Sequence, residues 1–142
     1  MSGYKFLEKL TRADVAFEAT GTNPSEMFSN AALALFDIQV DLTTVQKAIK
    51  KEIDLTAKTL EDLMFNFLDE LIFLKDKDAI VFSTCVATVR ESDGWSLHAE
   101  IWGDHIDHEK QKLKVDAKAV TMHKFSVRKD GDTYKAIVVI DI

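Results

Sequence analysis

The feature that most constrains this chain is a change of hydrophobic period at Ile80. Before it, Leu60, Leu63, Met64, Phe67, Leu68, Leu71 and Ile72 recur every three to four positions, which places them along one stripe of a helix. After it, residues 80–89, 95–102, 120–127 and 134–142 alternate with a period of two, the pattern of half-buried strands. Asp93-Gly94 and Asp130-Gly131 fall between these runs as hairpin turns. A helical stripe has to be buried against something, and the strands that follow offer it a sheet.

The first half supplies a second helix and the remaining strands. Residues 4–10 and 15–19 read as short strands, the latter closed by Gly21. Asn23-Pro24-Ser25-Glu26 then sets an Asn at the N-cap, a Pro at the first helical position and an acid in the first turn. The helix that follows lines up Met27, Phe28, Ala31, Ala32, Leu35 and Phe36. Ile49, Ile53 and Leu55, with Lys47 and Lys51 at the alternating positions beside them, favour a charged edge strand. Thr59 caps the second helix, with Glu61 and Asp62 where the dipole favours acids. Phe65 and Phe73 lie off its stripe, so burial on more than one side is expected. The expected class is α+β: a layered sandwich of largely antiparallel or mixed sheet with two α-helices, in a single domain spanning residues 1–142.

Composition narrows the function classes. The single cysteine, Cys85, excludes an internal disulfide framework and suits a reducing compartment. No apolar run reaches the length of a membrane span, and the N-terminus has no apolar signal core, so a cytoplasmic location is expected. With 18 basic against 24 acidic residues the net charge is −6, the wrong sign for gripping phosphates through counterion release. Strong direct nucleic-acid binding is therefore not expected, although Lys110, Lys112, Lys114 and Lys118 cluster locally.

Catalytic signatures are absent from the sequence: it has no Gly-rich phosphate loop and no nucleophile elbow. Asp69 and Glu70, adjacent on a helix, diverge by about 100° and cannot act as a pair. His105 and His108, with Asp104 and Asp107, read as a solvated turn, because zinc sites carry a second ligand pair. His123 shares a strand parity with Thr121 and Phe125 and reads as a hydrogen-bonded core histidine, and Cys85 as a buried, inert thiol. The acids at the two ends of the chain stand out more. Asp14 breaks the apolar entry of one strand and Asp141 breaks Ile137-Val138-Val139-Ile140. An acid at the end of so apolar a strand needs a partner, a proton or a metal. With the α-carboxylate of Ile142 beside it, Asp141 makes an oxygen-only donor set that suits Ca²⁺, Mg²⁺ or Mn²⁺ more than zinc.

Five pieces in order resemble the archease family: Ala13-Asp14-Val15 with Ala19-Thr20-Gly21; Ser25-Glu26-Met27-Phe28 with residues 31–36; residues 65–71; Lys118-Ala119-Val120-Thr121-Met122-His123; and Val139-Ile140-Asp141-Ile142. The resemblance covers nearly the whole chain. It implies no enzyme but a protein cofactor that assists an RtcB-type RNA ligase in tRNA splicing, promoting guanylylation of the ligase and its multiple turnover. It implies a divalent cation, Ca²⁺ or Mg²⁺, held by Asp14, Asp141 and Ile142, and a functional role for Lys118. Leu10 and Thr11 stand where the family commonly has an acid followed by His, and Met122 where it has an aromatic. Acidic net charge agrees with a helper that touches the ligase in preference to the RNA. For Asp14 and Asp141 to meet, the first and last strands must lie close together. A general chaperone or adaptor with a large exposed apolar patch is the alternative. A metal-dependent hydrolase would need a base and an open coordination position, which no pattern in the sequence supplies.

Overall fold

A computed structural model describes residues 2–7 and 12–142. Residues 1 and 8–11 lie outside the described residues, and with them Leu10, Thr11 and the end of the strand expected at 4–10. Among the described residues seven strands and two long helices follow one another as β1 (Gly3–Phe6), β2 (Asp14–Gly21), α1 (Pro24–Gln39), β3 (Ile49–Ala57), α2 (Leu60–Asp78), β4 (Ile80–Glu91), β5 (Trp95–His105), β6 (Ala119–Asp130) and β7 (Thr133–Asp141). A 3₁₀ turn, Leu42–Thr44, precedes β3.

The helices start as their sequences dictate. The Asn23 side chain accepts the Glu26 N–H at 2.9 Å, and Glu26 reaches back to the Thr22 N–H at 2.9 Å, so two orphan donors are met reciprocally. Thr59 accepts the Asp62 N–H at 3.1 Å and caps α2. Helix α2 ends at Ala79 in the left-handed region, φ +51°.

The strands form two antiparallel sheets, one ordered β1-β2-β7-β6 and the other β3-β5-β4. As its charges suggest, β3 is an edge strand, and the apolar β7 is central. At 130–133, Gly131 takes φ +64° as the first central residue of a two-residue hairpin. The β4–β5 loop holds three residues, with Asp93 and Gly94 both at positive φ. Both helices contact both sheets. One continuous core results, in which Phe28 of α1 meets Phe67 of α2 with ring centroids 5.8 Å apart. Alternate residues of β2 (Val15, Phe17, Ala19) and of β7 (Ala136, Val138, Ile140) enter it.

Two local expectations need correction. Of the two off-stripe residues from which burial of α2 on more than one side is expected, Phe65 is partly covered, edge-on to Phe125 at 5.7 Å, whereas Phe73 is 55% exposed. His123 is exposed, not a core histidine. The cause is an interruption of the ladder between Thr121, opposite Val139, and Ser126, opposite Ile137, where Lys124 takes φ +53°. Residues 122–125 stand there against Val138 alone, three more than the partner strand supplies, and strand parity no longer predicts which side faces in.

Candidate functional site

Strand pairing brings the two ends of the sequence together. Asp14 of β2 lies directly opposite Asp141 of β7, and Ile142 donates its N–H to the Ala13 carbonyl at 2.8 Å. Since Ala13 and Ile142 are hydrogen-bonded across the ladder, Asp14 and Asp141 occupy the alternate position, where facing side chains approach most closely. Val15 and Ile140 point into the core, so both acids emerge on the outer face of the four-stranded sheet. Asp14 is half-buried there and Asp141 exposed.

The fourth member, Lys118, arrives just ahead of β6. Ala119 lies opposite Asp141, and the Lys118 N–H donates to the Asp141 carbonyl at 2.8 Å. Lys118 is exposed, and its ammonium makes no ion pair among the described residues. The segment that delivers it, residues 111–118, has no regular structure yet is tied down along its length. Gln111 is buried and donates to the His105 carbonyl at 2.8 Å. Lys112 accepts from the Asp41 N–H at 2.9 Å, Leu113 bridges Val40, and Lys114 donates its N–H to the Gln39 carbonyl at 2.8 Å. The Lys114 ammonium is bound to Asp37 at 2.8 Å, so one of the four clustered lysines is neutralised within the protein.

Next in this row comes Lys75, near the end of α2 and only 5% exposed. Its ammonium donates to the Ala117 carbonyl at 3.1 Å and pairs with Asp116 and, at 2.8 Å, with Asp76. In sequence it sits inside Lys75-Asp76-Lys77-Asp78, which reads as a solvated charge run. The available signal was its spacing: it continues the stripe of Leu68, Leu71 and Ile72 by three to four residues.

Two carboxylates side by side repel, and a cation between them removes the penalty. The Asp14 and Asp141 side chains offer only oxygens, donors that suit a hard divalent cation more than zinc. On the same face Glu18 pairs with Lys5 at 3.4 Å and Lys135 at 3.5 Å. Those residues line a hollow of about 580 Å³ at the far end of the sheet.

The other sequence candidates do not assemble into chemistry. Asp107 caps a turn by accepting the Glu109 N–H at 2.9 Å, and Asp104 accepts from the His105 N–H at 2.9 Å, while His105 and His108 are exposed. Asp69 is exposed and Glu70 partly so, on a helix surface. Cys85 is buried, and burial pushes its thiol up to about 12, so it is no nucleophile. Met122 is 66% exposed at the ladder interruption. Among the described residues no three His, Cys, Asp or Glu side chains cluster as metal ligands. No helix there is long and apolar enough to cross a membrane.

Residues 4–142 match the Archease protein family. Protein archease of Methanosarcina acetivorans is 37% identical over 98% of this chain and 95% of its own length. That of Methanothermobacter thermautotrophicus is 32% identical over the whole of both. The solution structure of Methanobacterium thermoautotrophicum protein 1598 superposes with a TM-score of 0.86 at 31% identity, covering all of both chains. A Thermotoga maritima crystal structure described as an archease and possible chaperone shares the fold, with a TM-score of 0.64 at 20% identity over 96% of this chain and 98% of that one.

Proposed function

This chain belongs to the archease family, and from that premise we propose that it activates an RtcB-type RNA ligase of tRNA splicing, promoting guanylylation of the ligase and its repeated turnover. It acts as a protein cofactor without chemistry of its own. The observation that carries this reading is the meeting of Asp14, Asp141, Ile142 and Lys118 at one end of a sheet, although they come from both ends of the sequence. Asp14, Asp141 and the Ile142 carboxylate would hold Ca²⁺ or Mg²⁺, which supplies a compact positive charge for oxygen donors. Beside them Lys118 adds an exposed ammonium.

A general chaperone needs a contiguous apolar surface. Among the described residues the exposed large apolar side chains Phe6, Phe73, Val86, Ile106, Val115 and Met122 instead belong to β1, α2, β4, β6 and the β5–β6 connection. That dispersal favours a partner recognised at a defined site.

The test is GTP-dependent guanylylation of the cognate ligase, with this protein wild type or as Asp14→Ala and Asp141→Ala. Wild type stimulates the reaction, and either substitution lowers stimulation and Ca²⁺ affinity measured by calorimetry. Failure of the wild type to stimulate overturns the function, and undiminished Ca²⁺ affinity in Asp14→Ala removes that residue from the site.

A further inference from the structure

We infer that Lys75 is the positioning residue of this site, holding Lys118 and Asp141 in place from the opposite side of the 111–118 segment; the inference rests on the reading of those residues as the site.

An ammonium withdrawn from water loses hydration that only close hydrogen-bonding partners restore. A lysine near a helix C-terminus avoids this loss by extending its stem to the surface, as the exposed Lys77 does one half-turn on. Lys75 is instead buried, and among the described residues it and Gln111 are the buried polar side chains. Both anchor the same segment. Gln111 fixes its start to the end of β5, and Lys75 fixes its end through the Ala117 carbonyl and Asp116.

The position of that end matters for the site. Ala117 is fully buried, and the following N–H, that of Lys118, is the donor to the Asp141 carbonyl. From the Lys75 ammonium to Asp141 the path therefore runs through one carbonyl, one peptide unit and one hydrogen bond. On its other side Asp141 is tied to β2 by the next residue, whose N–H, that of Ile142, donates to the Ala13 carbonyl. Removing the ammonium leaves the Ala117 carbonyl buried and unbonded, a state that drives the segment to rearrange. The Lys118 to Asp141 bond is the next one along.

A clamp that served the fold alone would weaken the whole molecule evenly. A positioning residue acts locally, so the experiment compares local with global effects. Lys75→Met keeps the unbranched stem that packs beside Leu71 and Ile72 while removing every donor. Asp116→Asn changes the 64%-exposed partner and leaves the interior untouched. In Lys75→Met, amide exchange at Lys118 accelerates well beyond any change at β4 and β5 amides. Its Ca²⁺ affinity falls by about tenfold or more, the usual effect of losing a residue that orients a ligand. Asp116→Asn shifts both in the same direction by less.

A folded Lys75→Met with wild-type Lys118 exchange and wild-type Ca²⁺ affinity overturns the inference. Uniform acceleration at all amides also overturns it, since that is the mark of a fold-wide clamp. Should Lys75→Met not fold, Asp116→Asn decides, and an unchanged Lys118 amide in that variant counts against the inference. If wild-type protein binds no Ca²⁺, the metal reading of the site fails, while the exchange measurement still tests Lys75.

Discussion

His98 shows how a single side chain on this surface is tuned by its neighbours. It stands on the outer face of the three-stranded sheet, its Nδ1 2.8 Å from Asp54 and its Nε2 3.6 Å from Glu52. The hydrogen bond to Asp54 is the main reason its pKa lies above the ordinary 6.5, with the charges of Asp54, Glu52 and Glu100 adding to it. A raised histidine stabilises the fold fully at pH values below 6.5, and the contribution is lost as pH climbs through the raised folded value. The group is exposed and screened, so the effect on overall stability is small, and its own titration is the better readout. The His98 imidazole, followed by NMR, titrates above 6.5 in the wild type and returns toward 6.5 in Asp54→Asn; an unmoved midpoint would assign the shift to something other than this pair. At the same scale the sequence was uneven. Asp14 and Asp141 were visible because each breaks an apolar run, whereas Lys75 and His98 were not, because their partners lie far away in the chain.

Among the elements, β4 shows how an edge is kept from pairing with another chain. It borders the three-stranded sheet, and an open edge presents unpaired N–H groups to any passing strand. Here two serines of α1, one turn apart, take those donors: Ser25 Oγ accepts from the Val89 N–H at 2.8 Å and Ser29 Oγ from the Ala87 N–H at 3.0 Å. Serine-to-alanine substitution strands a partly buried donor in each case. Ser25→Ala and Ser29→Ala should each cost about 1–2 kcal/mol in urea unfolding, and the double variant should self-associate at high concentration. Unchanged stability in both would mean that water serves these amides equally well. Local periodicity was enough to place the helices and most strands, since stripe and alternation are properties of a few neighbouring residues. It could not place His123, because the interruption between Thr121 and Ser126 is set by how β6 meets β7 and α2. Nor could it show that serines at a helix start also serve a strand sixty residues on, because on the helix itself they read as ordinary polar positions.

Over the whole molecule, the candidate site is a junction between the first and last thirds of the chain, and that has a thermodynamic consequence. Which strand pairs with which was not readable from local pattern, so the meeting of Asp14 and Asp141 is a property of topology. A cation held by both carboxylates binds only when β2 and β7 are paired, and the unfolded chain keeps the two acids far apart. Binding therefore stabilises the folded state by linkage. At a Ca²⁺ concentration one hundred times Kd, that amounts to about 2.7 kcal/mol. Helices and both sheets share one core, so unfolding should be a single transition and the stabilisation should apply to all of it. For a chain of this length the expected rise in Tm is on the order of 10 °C. The rise should reverse on adding a chelator and be absent in Asp141→Ala, whose exposed side chain contributes little to packing. Calorimetric Ca²⁺ binding without a Tm shift would place the ion on a surface equally available in the unfolded chain. A shift that survives Asp141→Ala would place it on folded structure away from the β2–β7 junction.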